Sequence, residues 1–169
     1  MPGVELRLVD EDGAAAADGD PGEIVVRGPN LFSGYWPDGA DGPDAEGWWP
    51  TGDVAYADDD GDLHLVDRRT DLILVSGFNV YPAEVEAVLA AHPGVAEAAV
   101  VGRPDPERGD ETVLAYVVAA AGAAPTQQEL LDWAARSLAR FKLPAVVEFV
   151  PELPHTATGK VIKSQLRAG

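Results

Sequence analysis

Hydrophobic and polar residues alternate at the strand period in the first third of the chain. Residues 4–9 follow this alternation, and residues 23–28 predict a second strand. Residues 54–56 and 63–66 flank an acidic, glycine-containing turn at 58–61. The last two segments therefore predict a β-hairpin. Short strands at this spacing indicate a β-barrel or sandwich fragment.

The pattern changes near residue 70, where strand and helix periods begin to alternate. An apolar run at 72–75 predicts a buried strand, and residues 82–91 predict an amphipathic helix with Pro82 in its first turn. Further strands are predicted at 95–101, 113–118 and 146–150.

Two more helices are predicted later in the chain. Thr126 followed by Glu129 is a capping box and begins a helix that should run to about Arg140. A short helix should occupy 161–167. We therefore expect an α+β fold, with a small β-barrel-like subdomain at 1–69 and a compact α+β domain with a small central sheet at 70–169.

The composition excludes several classes of protein. With 46% hydrophobic and 24% charged residues, the 169-residue chain has ordinary globular composition. It has no bilayer-length apolar run and no signal-peptide pattern at its start. The absence of cysteine excludes disulfides, thiolate zinc sites and a cysteine nucleophile. We expect a cytoplasmic protein.

The formal net charge of −17 disfavours nucleic acid and anionic membranes as partners. An anionic substrate would therefore need a local positive patch. Half of the twelve Lys and Arg residues cluster late, although a solvated helix face would explain several of them as well: Arg136, Arg140, Lys142, Lys160, Lys163 and Arg167.

Two charged residues could bind a ribose. Asp53 follows Thr51-Gly52, and its carboxylate can accept hydrogen bonds from two neighbouring hydroxyls. Arg68 could direct its forked guanidinium to ribose oxygens or to a carboxylate. The alternatives are an Asx-type turn at Asp53 and an ordinary surface ion pair at Arg68.

Two loop residues are candidates for ligand contact. Gly77, directly after a predicted strand, would let a ligand or another backbone approach closely, although a plain turn explains it equally well. Lys160 follows a glycine and could bring a point charge to a carboxylate or phosphate; alternatively it is an exposed lysine at a helix start. The sequence has no P-loop pattern, no metal-ligand spacing and no nucleophile elbow.

Six motifs follow one another in an order and spacing that resemble the adenylate-forming superfamily of acyl-CoA synthetases, luciferases and nonribosomal-peptide adenylation domains. The resemblance covers nearly the whole chain. The phrase Ser-Gly-Phe-Asn-Val-Tyr-Pro is most similar to fatty-acyl, malonyl and aryl-CoA ligases. The motifs are Gly34-Tyr35-Trp36, Gly47 to Asp53, Asp67 to Ile73, Ser76 to Glu86, Phe141 to Pro144 and Pro154 to Val161.

The resemblance implies a two-step reaction. A carboxylate attacks the α-phosphate of ATP to give an acyl-adenylate and pyrophosphate; the C-terminal domain then rotates, and the thiol of coenzyme A displaces AMP. Asp53, Arg68 and Asn79 would bind the nucleotide. Lys160 would be catalytic and bridge the substrate carboxylate and the α-phosphate, where it stabilises charge in the transition state.

The resemblance also implies a site for coenzyme A and a hinge. The loop Ser76-Gly77-Phe78 would line the pantetheine tunnel, and Arg136 and Lys142 would contact the phosphates of coenzyme A. Arg69 and Thr70 would form the hinge. The family often has Asp or Lys where this chain has Thr70, and a threonine still permits rotation.

Several family motifs are absent from this sequence. These are the Ser/Thr/Gly-rich loop that grips the ATP phosphates, the Tyr-Gly-x-Thr-Glu motif that contacts adenine and Mg²⁺, and most of the acyl pocket. An N-terminal adenylation domain is therefore the expected partner. Apolar surface around Trp36, Trp48 and Trp49 would permit self-association in its absence.

We expect the C-terminal part of an ATP-dependent acyl-CoA ligase, inactive alone. One alternative is the lid of an adenylation domain that loads a carrier protein, which a carrier domain downstream would favour. Another is a stand-alone, non-catalytic binding module, which predicts no large domain encoded upstream.

Overall fold

The chain folds as two units that divide at residue 70. The computed structural model describes residues 3–37, 39–106 and 109–167. Contacts between Cα atoms separate Met1–Thr70 from Asp71–Gly169, one residue beyond the expected boundary. The assignment of these units to a β-subdomain and a mobile lid stays a prediction.

The first unit is built on one antiparallel sheet whose strands are neighbours in chain order. The predicted strands and the hairpin are confirmed. The sheet is open, so the barrel-like fragment expected here does not close into a barrel within the described residues. The strands are β1 (Glu5–Val9), β2 (Gly22–Arg27), β3 (Trp48–Ala57) and β4 (Leu63–Arg68).

In the described residues, the second unit combines a small hairpin, a three-stranded sheet and three α-helices, which confirms the α+β class. The elements are β5 (Ile73–Val75), β6 (Phe78–Val80), α1 (Pro82–Ala90), β7 (Val95–Asp105), β8 (Asp110–Ala119), α2 (Gln127–Ala134), β9 (Val146–Phe149) and α3 (Lys163–Arg167). Strands β7 and β8 pair antiparallel, and β9 pairs parallel to β8 after the crossover that contains α2.

Helix α2 begins as predicted but ends early. The capping box between Thr126 and Glu129 is present. The helix stops at Ala134, not near Arg140, and irregular turns follow in which Leu138 donates its backbone N–H to the carbonyl of Ala134. Leu138 is buried, so the chain turns there to place this side chain in the core.

The sheet of the second unit has a core on each face. One face packs against α1, α2 and the β5–β6 hairpin, with Ile73, Leu89 and Leu130 fully buried. The other packs against the C-terminal segment, where Val161 and Leu166 cover Tyr116. The Tyr116 hydroxyl also donates a hydrogen bond to the carbonyl of Leu166 at 3.1 Å. The C-terminal segment is therefore fixed to the sheet.

The three tryptophans expected to form an apolar surface differ in exposure. Trp36 is 92% exposed. Trp48 lies beneath the guanidinium groups of Arg7 and Arg27, at 4.1 and 4.6 Å from its ring centroid. Trp49 packs edge-on against Phe32. Apolar exposure is therefore largely confined to Trp36 among the three.

None of the helices in the described part of the chain approaches the length and apolar character of a segment that crosses a bilayer.

Candidate functional site

Asp53 and Arg68 are brought together by the pairing of β3 with β4. They are cross-strand partners, and Arg68 Nε lies 2.7 Å from Asp53 Oδ1. About half of the Arg68 side chain and a third of the Asp53 side chain remain exposed. The pair thus presents an acceptor and a forked donor side by side, which suits two adjacent hydroxyl groups.

The irregular stretch of β3 just before Asp53 is fixed to β2 by two hydrogen bonds. Thr51 Oγ1 donates to the carbonyl of Ile24 at 2.9 Å, and Gly52 N donates to Glu23 Oε1 at 3.2 Å. The second carboxylate oxygen of Glu23 accepts a hydrogen bond from Arg69. Glu23 is buried, so its charge is compensated by these contacts.

Sequence reasoning missed Glu23, although its position in β2 carries a signal. Val25 is buried, and residues two apart in a strand share a face. A carboxylate on the same face as a core valine needs a cation or a hydrogen-bond donor as its partner. That requirement would have marked Glu23 as a candidate structural residue.

The loop Ser76-Gly77 is the two-residue turn between β5 and β6. Val75 pairs with Phe78 across it, and φ is 51° at Ser76 and 81° at Gly77. Positive φ at both central residues is the geometry of a type I′ turn, which explains the glycine. Sequence reasoning placed a loop here but missed strand β6 after it.

Phe78 and Phe141 form an aromatic pair beside this turn. Their rings stack with centroids 4.8 Å apart at 25°, and Phe78 is 56% exposed. Phe141 belongs to the 3₁₀ turn Arg140–Lys142. Asn79 lies in β6 opposite Leu74, with its side-chain oxygen buried.

The two cations expected to contact coenzyme A have different surroundings. Lys142 Nζ lies 2.8 and 2.6 Å from the two carboxylate oxygens of Glu84, which neutralise it. Arg136 is exposed in the turn after α2, with its guanidinium carbon 5.3 Å above the ring of Trp133. Arg136 thus keeps a charge available for an anion.

Lys160 lies on a tightly bonded turn. Thr156 N donates to the carbonyl of Lys160 at 2.8 Å, and Lys160 N donates to Thr156 Oγ1 at 3.1 Å. The flanking residues His155 and Val161 form a β-bridge. Lys160 is exposed, and no carboxylate in the described residues lies within ion-pair distance of it. A fixed backbone therefore presents an unneutralised ammonium group.

No group of three or more His, Cys, Asp or Glu side chains within 3–37, 39–106 and 109–167 is arranged to hold a metal ion.

Two family profiles match this chain. The AMP-binding enzyme C-terminal domain matches residues 84–160, and the AMP-binding enzyme profile matches residues 1–36. This chain belongs to the AMP-binding enzyme family. The family's C-terminal profile therefore falls within the second unit and includes Lys160 at its end.

Relatives in this family match nearly the whole chain. A long-chain-fatty-acid–CoA ligase of Yersinia pestis is 47% identical over 99% of this chain and 30% of its own length. A feruloyl-CoA synthase of Amycolatopsis is 45% identical over 96% of this chain and 33% of its own. The chain thus spans about a third of the length of these relatives.

Solved structures show the same architecture. The ATP-bound MatB of Rhodopseudomonas palustris is 40% identical, with a TM-score of 0.89, and the match covers 99% of this chain and 34% of that one. The amide bond synthetase McbA of Marinactinospora thermotolerans is 44% identical with a TM-score of 0.86, over 99% and 34% of the two chains. The fold of both units is therefore the fold of this family.

Proposed function

We propose that this chain is part of an ATP-dependent acyl-CoA ligase and supplies its ribose-binding pair, its mobile lid and its catalytic lysine. The observation that carries the proposal is the 47% identity to a long-chain-fatty-acid–CoA ligase across both units. The overall reaction converts a carboxylate, ATP and coenzyme A to acyl-CoA, AMP and pyrophosphate.

In the first step, a carboxylate oxygen of the substrate attacks the α-phosphorus of ATP and the bond to pyrophosphate breaks. In the transition state, negative charge lies on the oxygens of the substrate carboxylate and of the α-phosphate. Lys160 lowers the energy of this state by placing its ammonium group there. Its exposure and its freedom from carboxylate neighbours in the described residues support this role.

Asp53 and Arg68 bind the ribose in this proposal. The carboxylate of Asp53 accepts hydrogen bonds from the vicinal hydroxyls, and Arg68 donates to their oxygens. Their 2.7 Å ion pair holds both groups in place before the nucleotide arrives. Asn79 stays a candidate nucleotide contact.

In the second step, the thiol sulfur of coenzyme A attacks the acyl carbon, the bond to AMP breaks, and the thiol proton is released. The turn Ser76-Gly77 and the exposed ring of Phe78 line the path of the pantetheine arm. Arg136 contacts a phosphate of coenzyme A. Lys142 shares that task only if the phosphate competes with Glu84 for its charge.

The hinge between the steps lies at Thr70. Arg69 is bound to Glu23 in the first unit, and Asp71 forms a 2.7 Å ion pair with Arg167 in the second. Thr70 is therefore the residue between two side chains that are each fixed to their own unit. Rotation at this point leaves both ion pairs intact.

Other parts of the enzyme bind the adenine, the ATP phosphates, Mg²⁺ and the acyl chain. The relatives are about three times longer than this chain, so room for those parts exists upstream in proteins of this family. The acyl group is selected there.

Transfer to a carrier protein is a second candidate function. The fatty acid–[acyl-carrier-protein] ligase ScoC of Streptomyces coeruleorubidus is 45% identical over 98% of this chain and 32% of its own length. The two activities share the first step and differ only in the thiol that accepts the acyl group.

The complete protein that contains this chain should be tested with a panel of carboxylic acids, ATP and either coenzyme A or a carrier-protein thiol. Acyl-CoA formation with stoichiometric release of AMP and pyrophosphate is expected. Acylation of the carrier thiol alone would support the second candidate. Absence of ATP-dependent adenylation with every acid would overturn both.

A further inference from the structure

Carboxylates bind the outer edge of β5, which pairs with no strand other than β6 in the described residues. Backbone N–H groups alternate in direction along a strand, so those of Leu74 and Ser76 share the side that faces away from β6. Leu74 N donates to Glu111 Oε2 at 3.0 Å, and Ser76 N donates to Asp110 Oδ2 at 2.8 Å. Two consecutive side chains at the start of β8 thus replace a partner strand.

Asp110 also stabilises the unusual backbone of the turn. Ser76 has φ of 51°, a conformation uncommon for a residue with a side chain. Its Oγ lies 3.4 Å from the same Asp110 oxygen that accepts the Ser76 N–H. The other carboxylate oxygen, Oδ1, is buried and has no hydrogen-bond partner in the described residues. Asp110 therefore makes its hydrogen bonds to the turn at a cost in solvation.

Gly102 leaves the space in which the Glu111 carboxylate lies. A Cβ atom built at Gly102 would be 2.5 Å from Glu111 Oε1 and 2.8 Å from its Cδ. Any side chain at position 102 would therefore displace the carboxylate from Leu74. The carboxylate is the far end of a flexible side chain, so this displacement leaves the backbone of β7 in place.

We propose that Asp110 and Glu111 are positioning residues for the thioester-forming step. They hold the turn Ser76-Gly77 and the ring of Phe78 in the geometry that receives the pantetheine arm of coenzyme A. Phe141 supports that ring by stacking on it. The proposal rests on the proposed ligase function, since it concerns the second half of that reaction.

Amide hydrogen exchange in the complete protein tests the geometry. Asp110→Ala and Glu111→Ala each remove one acceptor, so the amides of Ser76 and Leu74, respectively, should exchange about tenfold faster or more. Asp110→Asn and Glu111→Gln keep an acceptor oxygen and should stay within about threefold of the original protein. Gly102→Ala should accelerate hydrogen exchange at the Leu74 amide without removing any carboxylate.

Half-reaction kinetics in the same proteins test the functional part. The alanine variants should raise the KM for coenzyme A about tenfold, measured with preformed acyl-adenylate. The rate of adenylation should change by less than about twofold. Asp110→Asn and Glu111→Gln should have a KM for coenzyme A close to that of the original protein. A general loss of stability would not be reversed by these two substitutions. Glu152→Ala removes an exposed carboxylate outside the hairpin and serves as the control.

Unchanged exchange at Leu74 and Ser76 in the alanine variants would overturn the carboxylate contacts themselves. Faster amide exchange together with equal loss of rate in both half-reactions would show that Asp110 and Glu111 have only a structural role. That result would overturn the positioning role. If the unmodified protein forms acyl-adenylate but no thioester with coenzyme A, the ligase proposal fails. The exchange measurement separates that failure from a failure of the contacts.

Discussion

At the scale of single residues, the pairing of each charge decides its availability to a ligand. Lys142 is neutralised by Glu84, whereas Lys160 has no carboxylate neighbour in the described part of the chain. Sequence motifs located both lysines, but their surroundings could not be predicted. Glu84 lies 58 residues before Lys142, and only the folded chain brings them together.

The ribose pair gives the first prediction. Arg68→Ala in the complete protein removes a charged donor and should raise the KM for ATP about tenfold or more, since a hydrogen bond to a charged group is worth about 1.5–3 kcal/mol. Initial-rate kinetics of pyrophosphate release measure it. Arg27→Ala is the matched control, because Arg27 pairs with Glu5 in the same sheet away from Asp53. An equal effect of both substitutions would contradict the role of Arg68.

Glu23 gives a second prediction at this scale. Glu23→Ala leaves Arg69 without its partner and the Gly52 N–H without its acceptor, and should lower the free energy of unfolding by about 1–3 kcal/mol. Urea denaturation measures the change. Glu5→Ala removes an exposed ion pair and should shift the midpoint far less. Equal shifts would show that burial of Glu23 has no energetic consequence.

At the scale of elements, the local signal succeeded at the start of α2 and failed at its end. Thr126 and Glu129 specify the beginning of α2 through their own hydrogen bonds, so the sequence predicts it correctly. Its end depends on Leu138 entering the core, a contact between distant parts of the chain. The sequence does not predict strand β6, because a strand of three residues after a turn is too short to show a hydrophobic period.

The capping box gives an element-scale prediction. Thr126→Ala removes the hydroxyl that accepts the Glu129 N–H and should cost about 1 kcal/mol of stability. Thermal or urea unfolding measures it. Gln128→Ala, which alters an exposed contact with Asp132 within the same helix, should have a smaller effect. A larger loss at Gln128 would contradict the capping account.

The capping box also predicts that the stability of the folded chain depends on pH. Hydrogen bonds from the backbone N–H and hydroxyl of Thr126 lower the pKa of Glu129 in the folded chain. A lowered folded pKa stabilises the protein above the unfolded pKa of about 4.3 and loses that contribution as pH falls through the folded pKa. The stability difference between the original chain and Glu129→Gln should therefore shrink between about pH 5 and about pH 3. A constant difference would contradict this linkage.

At the scale of the whole molecule, the candidate residues divide between the two units. Asp53 and Arg68 belong to the first, and the turn at Gly77 and Lys160 belong to the second. The order of motifs along the sequence predicted this division, because each motif is local. Strand spacing predicted a barrel or sandwich fragment in the first unit, but it could not predict that four of the described strands pair in one open sheet.

The 169-residue chain by itself should show negligible ligase activity, because it covers only about a third of its relatives. Pyrophosphate-release and hydroxamate assays on the chain alone, beside the complete protein, measure this. Robust turnover by the chain alone with any fatty acid would contradict the assignment of the ATP phosphates and the acyl pocket to an upstream domain.

The role of Lys160 is the central claim, and separate measurement of the two half-reactions tests it most directly. In the complete protein, Lys160→Ala should lower the adenylation rate by about 100-fold or more while thioester formation from preformed acyl-adenylate stays within about threefold. Arg140→Ala, which removes an exposed cation from the same unit, should change neither rate. Equal losses in both half-reactions for Lys160→Ala would contradict the account.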